Sequence, residues 1–199
     1  LLEISGRALT GMTASDLGFV VAPRLNAAGR LDDMSLGIEC LLCDDLQLAA
    51  GMAARLDTLN RERRVIEKDM QQEAQAHLQQ IDRDQLPLGL CLFDPTWHQG
   101  ITGLLASRLK DYYRRPAIIF ADAGNGLLKG SARSIPELHM RDLLEAIATY
   151  HPGLIVRFGG HAMAAGLTLY ERDYEVFEKV YGEEVERRLS GSELTGKIY

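Results

Sequence analysis

The sequence predicts an α/β protein in which a helical connector, built on one long helix, precedes a layered α/β domain with a mixed sheet. From Asp44 to Gln80 the chain contains one glycine and no proline, which is typical of a long helix. After Pro87, short apolar runs alternate with amphipathic segments, as in stacked layers of strands and helices. We therefore expect two domains, a helical one over residues 1–85 and an α/β one over residues 86–199.

The helical part begins with short pieces and continues as the long helix, for which Asp45 is the expected N-cap. In the short pieces Arg24, Asn26 and Arg30 stand among small residues and could offer side-chain donors to a phosphate. Taken alone, this stretch more readily describes a capped helix end with surface arginines. One face of the long helix carries apolar residues at helical spacing, namely Leu48, Met52, Leu56, Leu59, Ile66 and Met70. We expect this helix to act as a strut between the domains.

In the α/β part the pattern predicts four strands and three helices. Apolar runs predict strands over residues 88–93, 117–121, 127–133 and 166–170. Helical periodicity predicts helices over residues 100–113, 139–150 and 173–189. The alternation of the two indicates a layered domain.

The composition limits the classes of function. A net charge of −6 argues against binding nucleic acid by bulk charge, yet residues 97–166 carry eight Lys or Arg against five Asp or Glu. This central segment is therefore the part suited to an anion. No apolar run reaches membrane-spanning length, no leader-like segment opens the chain, and the three cysteines lack partners for a metal site. We expect a cytoplasmic fragment of a longer protein with structural thiols.

The first of three polar loops in the α/β part is Thr96–Gly103, which leads into a helix. Its glycines, including Gly100, and its backbone N–H groups predict a nest for an anion beside His98. Arg108 follows one turn into the helix. For His98 and Arg108 a packing role remains an equal alternative, because Trp97 is adjacent.

The second polar segment is the end of the third predicted strand. Alternation places Lys129, Ser131 and Arg133 on one face of that strand. A hydroxyl and a guanidinium on one face can share a single phosphate. The segment therefore predicts a phosphate grip.

The third loop contains Gly159, Gly160 and His161. Adjacent glycines allow a turn with positive φ and a close backbone approach to a ligand, and they present the imidazole that follows. Taken alone, this motif more readily describes a Gly-Gly turn with a hydrogen-bonded core histidine. Ligands of open α/β sheets collect at loops that follow strands, so the three loops together favour a phosphate site.

No group of Asp and His residues resembles a two-metal centre, and no hydrolase elbow, Walker or dinucleotide pattern follows a strand. The sequence therefore predicts a chain that holds a phosphorylated ligand without carrying the machinery that cleaves it.

Five motifs, in order, resemble the RecJ family, the bacterial single-strand-specific exonucleases of the DHH phosphoesterase superfamily. They cover Pro23–Leu31, Trp97–Gly103 with Ala106–Arg108, Arg115–Pro116, Gly130–Ser134 and Gly159–Gly166. The last motif alone would also fit other DHH phosphoesterases and a domain of alanyl-tRNA synthetases. The occurrence of all five motifs in this order is specific to the RecJ family.

The resemblance implies degradation of single-stranded DNA from its 5′ end in repair and recombination, with Mn²⁺ or Mg²⁺ as cofactor. It also implies that this chain is the connector and the DHH-associated domain of a longer enzyme. The metal-binding DHH domain would precede it and an OB-fold would follow. No metal ligand can be assigned within the chain, so we expect the fragment alone to be inactive and to bind no metal.

Carried over to this sequence, the resemblance makes Ser131 and Arg133 the grip on a phosphate near the DNA 5′ end. His161, presented by Gly159 and Gly160, would be the catalytic residue that donates to the scissile phosphate. The remaining substrate-binding positions implied are Asn26, Arg30, His98, Gly100, Arg108 and Lys129.

Two other functions remain open from the sequence. One is a DHH-type nucleotide phosphatase or oligoribonuclease acting on short substrates. The other is a non-catalytic module that binds a single strand mainly through its backbone, since aromatic residues make up only 7% of the chain.

Overall fold

The computed structural model describes residues 1–8, 10–79 and 86–190, and the chain divides into two compact units, Leu1–Lys68 and Asp69–Tyr199. The predicted domain boundary after residue 85 adjoins residues 80–85, which lie outside the described residues. That boundary stays a prediction.

The first unit is helical. It contains α1 (Ala14–Asp16), a single π-helical turn (Leu17–Val21), α2 (Ala22–Leu31), α3 (Ser35–Leu42) and most of α4, which spans Leu46–Gln79. The Asp45 carboxylate accepts hydrogen bonds from the backbone N–H groups of Gln47 and Leu48 at 2.8 and 3.0 Å. These bonds satisfy two of the free donors at the start of α4, which confirms the predicted N-cap.

Small residues on α2 form the core of this unit. Ala27 and Ala28 are fully buried against Leu56 and Leu59 of α4, because alanine lets two helices approach closely. Beside them the Arg24 Nε donates to the buried Asp57 carboxylate at 2.8 Å. The expectation that Arg24 is a phosphate donor is therefore wrong: its guanidinium neutralises a buried carboxylate instead.

The second unit contains a five-stranded mixed sheet. Its strands are β1 (Leu90–Phe93), β2 (Ala117–Asp122), β3 (Leu127–Arg133), β4 (Arg157–Gly160) and β5 (Ala164–Tyr170). They lie in the order β1-β2-β3-β5-β4, with β1 and β2 parallel and every other pair antiparallel. The mixed sheet predicted from the sequence is confirmed.

Three helices cover the sheet: α5 (Thr102–Tyr113), α6 (Met140–Tyr150) and α7 (Tyr174–Leu189). One face of the sheet joins α6 and α7 in a core that includes Phe120, Leu167, Leu143 and Phe177. The helix α5 crosses between the parallel strands β1 and β2 and packs against β2 and β3. The residues of β2 and β3 alternate between the two faces, as expected for strands.

The strand β4 is not predicted by the sequence pattern. Its two glycines have low strand propensity and are typical of a turn. Gly159 nevertheless pairs with Gly166 and Gly160 with Ala165 of β5, because the ladder is made by backbone groups. The turn begins only at His161, whose backbone N–H donates to the Ala164 carbonyl at 2.8 Å.

Candidate phosphate-binding site

Most of the predicted site residues of the α/β part lie on one sheet face. We call the face of β3, β5 and β4 opposite α6 and α7 the open face. Strand register arranges its residues in three parallel rows: Arg133, Ala164 and His161; Ser131, Gly166 and Gly159; and Lys129, Thr168 and Arg157. Neighbouring strands are about 4.8 Å apart, so each row is about 10 Å long from end to end.

Ser131 lies beside the N-terminus of α5. Its hydroxyl is 3.0 Å from the Thr102 hydroxyl, which also donates to the Gln99 carbonyl at 3.0 Å. The Thr102 hydroxyl has one hydrogen, which it can donate to the Ser131 hydroxyl or to the Gln99 carbonyl. The Ser131 hydrogen can rotate towards an incoming anion. The free N–H groups and positive dipole end of a helix favour such an anion here.

Arg133 lies against the same helix end. Its Nη1 donates to the backbone carbonyl of Ala132 at 2.8 Å, which holds the guanidinium near the strand. A Cβ atom at Gly103 of α5 would be only 2.9 Å from Arg133 Nη2 and 3.7 Å from Ser131 Oγ. The absence of a side chain at Gly103 thus makes room for the guanidinium beside the Ser131 hydroxyl.

His161 shares the first row with Arg133, separated from it by Ala164. The imidazole is exposed, and its Nδ1 faces the backbone N–H of Met163 at 3.4 Å. A nitrogen that accepts a hydrogen bond carries no hydrogen, so this contact favours the tautomer with the hydrogen on Nε2. His161 then offers one outward donor to an oxygen anion.

Gly160 sets the position of His161. Its φ is +147°, and a Cβ atom there would be 2.4 Å from the Ala164 carbonyl oxygen. A glycine is therefore required at 160, whereas a Cβ at Gly159 meets nothing within 4 Å. The sequence motif is explained by geometry at one of its two glycines only.

His98 and Lys129 line the approach to the α5 terminus. His98 Nδ1 accepts from the Gly100 N–H at 3.1 Å, so its Nε2 is also placed as a donor. Lys129 Nζ lies 3.5 Å from Gln99 Oε1, at the limit of a hydrogen bond. Trp97 is buried and its indole N–H donates to Glu73 at 2.8 Å, which confirms the expected packing role for the tryptophan.

One predicted residue of the second unit lies away from this cluster, and two others belong to the first unit. Arg108 is exposed on α5, six residues and about 9 Å along the helix axis from Thr102. Asn26 and Arg30 are on α2 in the first unit, the former exposed and the latter half-buried. Their roles in substrate binding stay predictions.

The three polar segments lie on one face of the sheet. We expected them to cluster at the ends of strands, and this expectation is only half right. Arg133 and the turn at His161 lie at the same end of the sheet, whereas the loop after β1 begins level with Gly130, the middle residue of β3. That loop reaches Ser131 by crossing the face of β3 into α5. Thr102 was missed as a site residue, and Gly103 was predicted only as one of the glycines of the anion-binding loop; the start of a helix at a Thr-Gly pair was the available signal.

The remaining reactive groups belong to the fold. Burial raises the pKa of the Cys91 thiol well above its ordinary value, and Cys40 and Cys43 are free, as expected for structural thiols. Within residues 1–8, 10–79 and 86–190, no group of three or more His, Cys, Asp or Glu could hold a metal ion. None of the helices described there is long and apolar enough to cross a membrane.

A DHHA1 domain family model matches residues 87–189, which contain the whole sheet and its three helices. The chain therefore belongs to the DHHA1 domain family.

More particular similarities cover the helical unit as well. The chain is 53% identical over its full length to the single-stranded-DNA-specific exonuclease RecJ of Dickeya dadantii (strain 3937). It resembles the crystal structures of Thermus thermophilus RecJ in complex with Mn²⁺ and with Mg²⁺, with TM-scores of 0.79 and 0.77 and identities of 30% and 28% over 94% of this chain. It spans 35% of the Dickeya protein and 26–27% of the Thermus chains. The resemblance to the RecJ family is confirmed.

Proposed function

We propose that this chain is the substrate-binding part of a single-stranded-DNA-specific 5′→3′ exonuclease, a metal-dependent phosphodiester hydrolase of DNA repair and recombination in the cytoplasm. One observation carries the proposal: Ser131 and Arg133 lie side by side under the N-terminus of α5, with Gly103 leaving room for the guanidinium. The similarity to RecJ exonucleases supports single-stranded DNA as the ligand.

In this proposal the Ser131 hydroxyl and the Arg133 guanidinium hold the 5′-terminal phosphate. A terminal phosphate has an additional charge compared with an internal phosphodiester, so a forked cation and a helix N-terminus favour it. His98, Gly100, Arg108 and Lys129 would extend the track for the DNA strand, and Asn26 and Arg30 of the helical unit would also contact the DNA.

His161 would act on the scissile phosphate. Its outward Nε2–H would donate to a phosphate oxygen whose charge increases during attack. Gly159 and Gly160 would allow the DNA strand to approach the turn at His161. The described residues do not fit a metal centre. The Mn²⁺ or Mg²⁺ of the whole enzyme would be held by a DHH domain in another segment of the longer protein, which would also carry an OB-fold.

The proposal is tested by binding a 3′-fluorescein-labelled oligonucleotide, with a 5′-phosphate or a 5′-hydroxyl, to the 199-residue chain. Hydrogen bonds to charged groups contribute about 1.5–3 kcal/mol, so the phosphate should tighten binding by at least roughly ten-fold. Arg133→Ala should remove that gain. Arg141→Ala, which changes an exposed arginine on α6, should preserve it.

Equal affinity for the two 5′ ends in the wild-type chain, or an undiminished gain in Arg133→Ala, would contradict the proposal. Ser131→Ala provides a second test with little risk to the fold, because Ser131 is half-buried and its side chain loses only the hydrogen bond to Thr102. It should reduce the phosphate gain without abolishing it.

A further inference from the structure

The turn that carries His161 is bonded to the segment between β3 and α6. The backbone carbonyl of Met163 accepts a hydrogen bond from the Ser134 N–H at 2.9 Å. The carbonyl of Ala162 accepts one from the Met140 N–H, also at 2.9 Å. Both carbonyls at the tip of the turn are therefore bonded to backbone groups outside β4 and β5, and these bonds restrict the rotation of the turn.

The segment between β3 and α6 is closed by the Ser134 side chain. Ser134 is 1% exposed, and its hydroxyl donates to the Leu138 carbonyl at 2.6 Å. The Leu138 N–H donates to the Ile135 carbonyl at 3.1 Å, and the side chains of these two residues are buried in the core of the second unit. We call residues 134–140 the supporting loop. Because its ends donate to the turn and its middle is anchored in the core, it fixes the turn to the body of the domain.

Ser134 also connects the two functional groups at this end of the sheet. It follows Arg133 directly in sequence. Arg133 and His161 lie in the same row on different strands, with Ala164 of β5 between them. The bond from the Ser134 N–H to the Met163 carbonyl therefore joins the strand end that bears the guanidinium to the turn that bears the imidazole.

The orientation of the imidazole depends on the same bonds. The His161 Nδ1 faces the Met163 N–H at 3.4 Å, which leaves Nε2 as the outward donor. That N–H belongs to the same peptide group as the Ala162 carbonyl, which the supporting loop holds. Because a peptide group is planar, a bond that fixes the carbonyl also fixes the direction of the N–H. A rotated turn would therefore change both the direction and the tautomer of the imidazole.

We propose that Ser134 is a positioning residue for His161: its buried hydroxyl closes the supporting loop, and the loop holds the turn that directs the His161 Nε2–H to the scissile phosphate. In this role Ser134 contacts no substrate atom. It acts through His161, whose place relative to the phosphate held by Arg133 determines whether the donor reaches the reacting oxygen. This inference rests on the proposed function, which assigns the scissile phosphate to His161.

The first test is a double-mutant cycle of Ser134→Ala and His161→Ala in the longer protein, measured as single-turnover cleavage of a 5′-phosphorylated single strand. Ser134→Ala should lower cleavage by about ten-fold, because a displacement of about 1 Å can cost up to about 100-fold. In the His161→Ala background it should have no further effect, since the group that it positions is absent. Affinity for the strand should not change, because Ser131 and Arg133 are retained.

Ile147→Val is the control for a loss of stability alone. Ile147 is 2% exposed in the same core, about two turns along α6 from Met140. Both Ile147→Val and Ser134→Ala should lower the urea midpoint, but Ile147→Val should leave cleavage unchanged. Ser134→Cys has a thiol of similar size that donates weakly. It should give the same cycle with a smaller loss, and it replaces Ser134→Ala if that chain does not fold.

The second test uses the 199-residue chain and needs no catalysis. The ¹⁵N chemical shifts of the His161 ring, measured where the imidazole is neutral, should place the hydrogen on Nε2 in the wild type and in Ile147→Val. In Ser134→Ala they should shift towards a mixture of the two tautomers. The gain in affinity from a 5′-phosphate should be retained in all three chains.

An equal loss of cleavage from Ser134→Ala in the wild-type and His161→Ala backgrounds would overturn the proposal. Unchanged cleavage in Ser134→Ala, or an unchanged His161 tautomer in that chain, would also overturn it. The proposed function survives these results if His161→Ala alone lowers cleavage and Arg133→Ala removes the phosphate gain. If those two variants also have no effect, the proposed function fails as well, and the two failures are thereby distinguished.

Discussion

Replacing Gly103 by alanine separates the stability of the domain from the geometry of the phosphate site. The new methyl group would lie 2.9 Å from Arg133 Nη2, and ordinary contacts begin at 3.4 Å. The guanidinium must therefore move by at least about 0.5 Å. Because the obstructing atom is the far end of a flexible side chain, the fold can accommodate the methyl group by moving Arg133.

The expected effects on folding and on binding have opposite signs. Alanine in place of glycine in a helix stabilises by about 0.5–1 kcal/mol, so the free energy of unfolding should stay the same or rise. Displacing Arg133 weakens a charged hydrogen bond to the phosphate, and loss of one such bond costs about 1.5 kcal/mol or roughly ten-fold in affinity. We expect the 5′-phosphate gain to fall by up to about ten-fold.

Urea denaturation and binding of the 5′-phosphorylated and 5′-hydroxyl strands measure the two effects separately. Gly182→Ala is the matched control: this glycine lies in α7, and a Cβ there meets nothing within 4 Å. It should raise stability by about 0.5–1 kcal/mol and leave binding unchanged. A Gly103→Ala chain that folds normally and retains the whole phosphate gain would refute the reasoning about Arg133.

Three further predictions concern other parts of the second unit. Gly160→Ala should destabilise the domain by about 2–3 kcal/mol in urea denaturation, because the alanine must adopt a positive φ and its Cβ clashes with the backbone. Gly159→Ala should change stability by less than about 0.5 kcal/mol. Equal effects of the two substitutions would contradict the assignment of the turn. The hydrogen bond from Arg187, with burial opposing and Arg188 assisting, lowers the pKa of the Glu184 carboxyl below its ordinary 4.5. Glu184 therefore stabilises the fold above that pH, and Glu184→Gln should lower the free energy of unfolding by about 1–2 kcal/mol at pH 7. This difference between the variant and the wild type should disappear as the pH falls through the lowered pKa. A difference that does not depend on pH would refute the ionic contribution. In the longer protein, His161→Ala should lower single-turnover cleavage on the order of 100-fold while affinity changes little; unchanged cleavage would refute its catalytic role.

The sequence predicted the elements of the fold because their signals are local. Asp45 and the uninterrupted segment that follows it define the start of the long helix within a residue. Apolar runs located β2 and β3 for the same reason. The strand β4 escaped prediction because its two glycines carry no side chains from which a pattern could be read, and its pairing with β5 is made by the backbone.

The site was predicted in part for a similar reason. The alternation of side chains along β3 was sufficient to place Ser131 and Arg133 on one face. The space that Gly103 leaves for the Arg133 guanidinium depends on how α5 crosses β3, which the local sequence does not show. The sequence does not distinguish Arg24 from the nearby Asn26 and Arg30. Its ion pair with the buried Asp57, which is distant along the chain, could not be predicted from the local pattern.

The central claim is that Ser131 and Arg133 hold a 5′-terminal phosphate, and a crystal structure of the 199-residue chain with pdTpdT tests it most directly. The account predicts the 5′-phosphate oxygens within hydrogen-bonding distance of the Ser131 hydroxyl and the Arg133 guanidinium, beside the N-terminus of α5. A dinucleotide bound with its 5′-phosphate in solvent, or on another face of the sheet, would contradict it.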